Sequence, residues 1–155
     1  MSETHRWLSD YGDSHRELSC PAIHWVAVLI LVPGTAGMLW SLPIPAEFTD
    51  ISPLLNWGSA FLMASLVYYF IISLPLAIGM LPFMLAVAAL GVLLTQADVS
   101  VAGVSLGLVI VALAGLYFGH HARGGVRAVL RDIQLMMIGP IWLLSKVYER
   151  LGIPY

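Results

Sequence analysis

The sequence PAIHWVAVLILVPGTAGMLWSL, residues 21–42, contains no charged side chain and decides how the rest of the chain is arranged. At about 1.5 Å of rise per residue, a helix over this stretch is long enough to cross a hydrocarbon core of about 30 Å. Pro21 suits the first turn of such a helix, because its missing N–H is not needed there. We therefore predict a membrane-spanning helix that begins at Pro21 and carries His24 about one turn inside its start.

The whole chain is too apolar to form one small soluble domain. Of its 155 residues, 59% are hydrophobic and only 10% are charged, and its mean hydropathy is +0.88. Lipid must therefore cover much of its surface. Residues 54–95 are again uncharged, too long for one span and about right for two, with the likeliest reversal around Ser73, Leu74 and Pro75.

These patterns predict an all-α integral membrane protein with a single domain over residues 1–155. Residues 1–20 form an interfacial head that contains a short amphipathic helix lying on the membrane, because apolar side chains recur there at intervals of three and four. Residues 133–148 are apolar but short and interrupted by Gly139-Pro140, which favours an interfacial or re-entrant helix over a fifth span. The predicted connecting loops are residues 43–53, 96–100 and 120–132. The four predicted transmembrane helices cover residues 21–42, 54–74, 76–95 and 101–119.

Charge indicates the orientation of these spans. All seven lysine and arginine residues fall on the side of the N-terminus, whereas the opposite loops carry only Glu47, Asp50 and Asp98. The positive-inside rule makes the N-terminal side cytoplasmic, in the inner membrane of a bacterium or the endoplasmic reticulum of a eukaryote. No basic patch is large enough to bind nucleic acid.

Glycines recur at multiples of four in the last predicted span, at Gly103, Gly107, Gly115 and Gly119. Such spacing removes the side chains from one helix face and lets a neighbouring backbone approach closely. We expect this face to pack against another helix, the alternative being that the glycines face lipid.

The predicted topology places all five histidines on the cytoplasmic face. His15 and His24 flank the helix break at Pro21 and are able to converge on one metal ion, although an interfacial histidine is more often a surface group. His120 and His121 diverge by about 100° if helical, so one of them at most shares a site with the others. Imidazoles with open coordination positions suit Fe(II) or Zn(II), and a haem held by two histidines is a competing use.

Motifs for other chemistry are absent from the sequence. There is no Gly-rich phosphate loop, no serine nucleophile elbow and no His-Glu-x-x-His helix, which argues against phosphoryl transfer, acyl hydrolysis and zincin proteolysis. The predicted spans contain no Asp, Glu, Lys or Arg. An ion or proton pathway through the membrane therefore lacks its usual residues.

Several short motifs occur in an order that resembles a known membrane family. They are Trp7-Leu8, Tyr11-Gly12, His15, Ile23-His24-Trp25, Gly119-His120, residues 127–132 and Gly139-Pro140. This order resembles the 2-hydroxy-fatty-acid dioxygenases, a family named for the metabolism of phytosphingosine to odd-numbered fatty acids and formerly catalogued as a domain of unknown function. The resemblance implies an Fe(II)-dependent, O2-consuming enzyme that shortens a 2-hydroxy fatty acid by one carbon.

The same resemblance implies the residues of the site. His15, His24 and His120 match the family's histidines and would be the catalytic iron ligands or their neighbours. The chain departs from the family pattern where Cys20 replaces an asparagine, where Arg123 or Gly124 replaces an acidic residue, and where Ala128-Val129 replaces Pro-Ala. His121 is a further candidate metal ligand, because it could compensate for the missing carboxylate.

A 2-hydroxy acid suits this topology, because its tail would lie among the spans while its carboxylate and hydroxyl stay at the cytoplasmic surface. Tyr11, Arg123 and Arg127 are the candidate substrate-binding residues, since an arginine pairs well with a carboxylate. The alternative for these arginines is that they only determine topology. Membrane lipids are the other expected contacts, and a homo-oligomer is compatible with the sequence.

Two alternatives to the enzyme remain. One is a noncatalytic lipid-binding or assembly protein that keeps the fold. The other is a structural zinc ion, in place of iron, that links the head to the fourth span.

Overall fold

A computed structural model describes Arg6, Leu8 and residues 20–120 and 125–154, without the side chains at positions 120, 126, 128 and 134. Within residues 20–120 and 125–154 the chain is helical, and no strand occurs there. The seven helices are α1 Pro21–Trp40, α2 Ala46–Ile51, α3 Trp57–Ile72, α4 Leu74–Gln96, α5 Val101–His120, α6 Gly125–Gln134 and α7 Ile138–Leu151.

The prediction of an all-helical fold is confirmed for the described residues. Among the described residues, α1, α4 and α5 are long and apolar enough to cross a membrane. Their bounds lie within two residues of the predicted spans at residues 21–42, 76–95 and 101–119. The helix in the predicted span at residues 54–74 is α3, which is apolar but has only 16 residues.

The chain reverses direction at Ser73, as the sequence predicts. Ser73 has an extended backbone between α3 and α4, and Pro75 follows in the first turn of α4. The Trp40 indole shows that these helices are antiparallel, because a Cβ on Gly58 or on Gly91 would lie 2.9 or 3.0 Å from it. Trp40 at the end of α1 therefore contacts the start of α3 and the last turns of α4.

Glycines bring α1 and α5 together along most of their length. Near the end of α5, a Cβ on Gly115 would lie 2.8 Å from the Ala27 Cβ, and one on Gly119 would lie 2.9 Å from the His24 Cβ. Toward the other end, Gly34 of α1 gives the same room to Val109. The predicted glycine face is thus only half correct, because a Cβ on Gly107 would meet no atom within 4 Å and one on Gly103 would meet only its neighbour Ser100.

Two ends of the bundle follow from these contacts. We call the end at which α1 begins and α5 finishes the histidine end, because His24 and His120 lie there. The opposite end, with Trp40, Gly58 and Gly91, is called the far end. The described cations of α6 and α7 lie at the histidine end, because α6 contacts His24 and Trp142 of α7 stacks on Trp25.

Helix α1 is the centre of the bundle. On one side its Ala27, Val28 and Leu31 pack with buried Ala112 and Leu116 of α5. On the other side Ala36 belongs to a larger core built from α3, α4 and α7. Leu8 is buried in that larger core, so at this position the N-terminal segment packs against the bundle; most of the predicted interfacial head, residues 1–20, lies outside the described residues.

Two segments predicted as loops contain helices. Residues 43–53 include the six-residue α2, which begins after an extended Pro45 and has Glu47 in its first turn, where a carboxylate is favoured. Residues 120–132 include most of α6. This helix is strongly amphipathic, although its charged residues make the segment resemble a loop in the sequence. Val129 of α6 packs on the α1 and α5 cluster while Arg127 and Arg131 are exposed, so the apolar face of α6 is what folds it onto the bundle.

Helix α7 occupies much of the segment predicted to be interfacial or re-entrant. It closes the histidine end, where the Tyr69 hydroxyl donates to the Met137 carbonyl at 2.8 Å and the Tyr148 hydroxyl donates to the Pro75 carbonyl at 3.2 Å. The helix ends at Leu151 and is capped by Gly152, whose positive φ of 68° is a conformation that glycine adopts without strain.

The contact between α1 and α5 predicts opposite effects for two glycine substitutions in α5. Gly115→Ala is expected to lower the free energy of unfolding by about 1–3 kcal/mol, because the new Cβ would overlap Ala27 and push the helices apart. Gly107→Ala is expected to leave stability unchanged or to raise it by up to about 1 kcal/mol, because alanine is the better helix former and open space surrounds the site. Denaturant unfolding of the purified protein in detergent measures both values, and equal losses would contradict this packing.

Candidate functional site

His24 is fully buried at the histidine end. It lies three residues after Pro21, which begins α1, and its backbone N–H donates to the Cys20 carbonyl at 3.2 Å. Position 119 of α5 is a glycine, so the backbone of α5 packs directly on His24. The glycine at position 119 therefore allows the backbone and Cβ of His24 to lie close against α5.

Asp132 faces this imidazole from α6. Its carboxylate is almost completely buried, and its Oδ2 lies 3.7 Å from the His24 Nδ1. A buried carboxylate is costly unless a positive or polar group compensates for the lost water. His24 is a polar group close to this carboxylate, and its position shows that the face of α6 carrying Asp132 turns toward the bundle.

Two indole rings continue the site toward α7. The Trp25 ring meets the His24 ring edge to face with centroids 4.8 Å apart, and the Trp142 ring stacks on Trp25 at 4.4 Å and 22°. These rings cover His24 on the α7 side. The imidazole and carboxylate thus share a buried environment bounded by α1, α5, α6 and this aromatic pair.

The predicted site residues are only partly within the described chain. His15, His121, Tyr11 and Arg123 lie outside it, so their roles stay predictions. His120 is the last residue of α5 and directly follows Gly119.

The structure therefore brings the backbone of position 120 close to His24, as the metal-site hypothesis requires, while its side chain is not described. Arg127, predicted to bind substrate, is exposed on α6. Among the side chains that the structure describes, no group of three or more histidine, cysteine, aspartate or glutamate residues could hold a metal ion.

Asp132 is the site residue that the sequence interpretation missed. It belongs to residues 127–132, one of the motifs that carry the family resemblance, but was not assigned a role. A local signal also existed, because Val129, Asp132 and Met136 are spaced for one helix face and both apolar members pack on the α1 and α5 cluster. A carboxylate on the apolar face of an amphipathic helix indicates a buried partner.

His24 and Asp132 carry donor types that first-row metal ions accept. Imidazole and carboxylate ligands at about 2.0–2.2 Å from one ion lie at most about 4.4 Å apart, and the 3.7 Å between the His24 Nδ1 and the Asp132 Oδ2 is below that limit. Asp132 could instead contact the metal-free nitrogen of His24 and so orient the ring, as carboxylates commonly do behind histidine ligands. Both arrangements use residue types that suit Fe(II) and Zn(II).

Comparison with known proteins adds no relative, because no protein family, curated protein or solved structure matches this chain.

The buried pair predicts a large effect for removal of its carboxylate. Asp132→Ala is expected to lower the free energy of unfolding by about 3 kcal/mol or more, because it breaks a buried polar contact that docks α6. The matched control is Asp50→Ala, which removes an exposed carboxylate and should change stability by no more than about 0.5 kcal/mol. Chemical unfolding in detergent measures each variant, and similar small losses in both would show that the Asp132 contact is not stabilising.

Proposed function

We propose that this protein is a membrane-embedded, Fe(II)-dependent dioxygenase that shortens 2-hydroxy fatty acids by one carbon. The observation that carries the proposal is the buried pair of His24 and Asp132, 3.7 Å apart, beside the point where α5 leads into His120. The reaction class comes from the resemblance of the sequence motifs to the dioxygenase family.

The proposal includes four transmembrane helices, with α3 as the additional span. Its 16 residues cover about 24 Å at 1.5 Å per residue, and a short span is accommodated by local thinning of the bilayer. Its antiparallel position between α1 and α4 supports this assignment. With four spans, both termini and the histidine end would lie on the same side of the membrane.

We assign that side to the cytoplasm. Among the described cations, Arg127, Arg131, Lys146 and Arg150 belong to α6 and α7, and the loops of the far end carry Glu47, Asp50 and Asp98. This division follows the positive-inside rule. The host membrane would be the bacterial inner membrane or the endoplasmic reticulum.

In the proposed site, His24, His120 and His15 hold the iron, Asp132 serves as a ligand or orients His24, and His121 is the alternative to His120. Fe(II) with open coordination positions is suited to O2 chemistry. The chain itself contributes a dry environment, because His24 and Asp132 are buried and the His24 ring is in contact with Trp25, on which Trp142 stacks. Burial of this kind strengthens electrostatic interactions and limits competing reactions with water.

The proposed reaction balances without a further reductant. A 2-hydroxy acid and O2 give the acid with one carbon fewer, CO2 and water. The bond between the carboxyl carbon and the hydroxyl-bearing carbon breaks, and the hydroxyl-bearing carbon is oxidised to the new carboxylate. Tyr11, Arg123 and Arg127 are the proposed contacts for the polar head of the substrate, whose apolar tail would lie in the bilayer.

A structural zinc site is the second candidate, favoured by the same burial. An ion bound by His24 and Asp132 would tie α6 to α1 whether or not the protein has any activity. This candidate predicts that zinc is recovered with the purified protein and that its removal loosens α6. A noncatalytic lipid-binding protein that keeps the fold would instead contain neither metal in a fixed ratio.

Metal content and O2 uptake of the purified full-length protein test the proposal. After loading with Fe(II), the wild type is expected to retain iron and to consume O2 when 2-hydroxypalmitate is added, with release of CO2 and the acid one carbon shorter. His15→Ala, His24→Ala and His120→Ala should each lose the iron, and Asp132→Asn should bind it about 10–100-fold more weakly. His5→Ala is the control and should retain iron and activity.

Three results would decide against the proposal. Equal iron retention in all of these variants would show that the site is elsewhere. Recovery of zinc without O2 uptake would favour the structural ion. Tight iron binding without consumption of O2 or of the hydroxy acid would support a noncatalytic protein.

A further inference from the structure

A cleft of about 400 Å³ opens beside α7 at the histidine end. Its walls include Trp25, Trp142, Lys146, Glu149 and Arg150. The volume is within the range of ligand pockets, about 300–1,000 Å³. The cleft is separate from the pair of His24 and Asp132, neither of which lines it.

The cations of the cleft form a pair on one face of α7. Lys146 and Arg150 are four residues apart, which places them on adjacent turns of the same face. The Lys146 ammonium lies 5.6 Å from the centre of the Trp142 ring and forms an exposed ion pair with Glu149 at 2.8 Å. Arg150 is exposed, and no carboxylate of the described residues is paired with it.

The position of the cleft suits the headgroup layer of a bilayer. It lies at the end of a bundle whose α1, α4 and α5 are each long enough to cross the hydrocarbon core. Tryptophan is enriched at that depth because its ring is apolar and its N–H is polar. Leu143 and Val147 also line the cleft, so an apolar chain attached to a bound anion would meet apolar side chains.

The cleft does not suit the reacting end of the proposed substrate. The ring contacts that connect His24 to Lys146 pass through Trp25 and then Trp142. The carbon of a 2-hydroxy acid that is oxidised is bonded directly to its carboxylate. If Lys146 held the carboxylate, that carbon would therefore lie away from His24, because the Trp25 and Trp142 rings come between Lys146 and His24 in this series of contacts.

We propose that this cleft binds the anionic headgroup of a membrane phospholipid, with Lys146 and Arg150 contacting the phosphate and the Trp25–Trp142 stack forming the wall. Cations beside a membrane surface attract anionic lipids. The bound lipid would hold α7 against the bilayer. It would thereby also hold Trp142, which stacks on the Trp25 ring beside His24. The site is independent of the proposed enzymatic reaction and would exist in a noncatalytic protein as well.

Native mass spectrometry of the purified full-length protein in detergent, titrated with phosphatidylglycerol, tests this site. The wild type should bind one such lipid more tightly than phosphatidylcholine. The double variant K146Q/R150Q should bind it about tenfold more weakly or worse. Glu149→Gln should bind it about two- to fivefold more tightly, because it removes the carboxylate that competes for Lys146.

The control is R6Q/R131Q, which removes two other exposed cations that do not line the cleft and should change the affinity less than twofold. Equal weakening in both double variants would show that only overall charge attracts the lipid and would overturn the site. Equal affinity for phosphatidylcholine would do the same. Displacement of the lipid by a lower concentration of 2-hydroxypalmitate would assign the cleft to fatty-acid carboxylates instead.

Discussion

The close contact between α1 and α5 is the constraint on which the other arrangements depend. Gly115 and Gly119 of α5 admit the backbone of α1 near the histidine end, and Gly34 of α1 admits Val109 of α5 further along. Both helices thus supply glycines at their points of closest approach, as expected for helices that pack in lipid by van der Waals contact. The rest of α5 faces outward, with Leu106, Ile110 and Phe118 each about half exposed. Lipid would cover that face, so α5 owes its position to α1.

This contact explains how a polar pair comes to be buried at the end of an apolar bundle. Gly119 leaves room for His24 between the helices, and the chain then continues through His120 toward α6, which folds back and places Asp132 on the imidazole. Because Trp25 and Trp142 cover the other side, the pair is shielded from water. Charges in such a site interact more strongly than they do at the surface, because the effective dielectric constant is lower there. The proposed iron site and the alternative zinc site both use this property.

Much of the fold could be predicted from the sequence, because the bilayer thickness imposes a length on every uncharged helix. The spans at residues 21–42, 76–95 and 101–119 and the reversal at Ser73 follow from that length and from Pro75. The docking of α6 could not be predicted in the same way, because Arg127 and Arg131 make residues 120–132 resemble a solvated loop. That Asp132 faces inward becomes clear only from its contact with α1. The same kind of tertiary contact decides which glycines of α5 meet a neighbouring helix. For the site, the sequence singled out His24 and position 120, which the fold brings close. The roles assigned to these two residues, and those assigned to His15, His121, Tyr11, Arg123 and Arg127, stay predictions.

We propose that His24 is a ligand of a metal ion at the histidine end, and X-ray absorption at the iron edge probes this coordination directly. The spectrum of the iron-loaded, full-length protein should contain the multiple scattering that coordinated imidazoles produce. In His24→Gln the bound iron should be lost, or any iron that remains should show weaker imidazole scattering per iron atom, whereas His5→Gln should match the wild type. A spectrum without imidazole scattering, or one that is identical in wild type and His24→Gln, would contradict the claim.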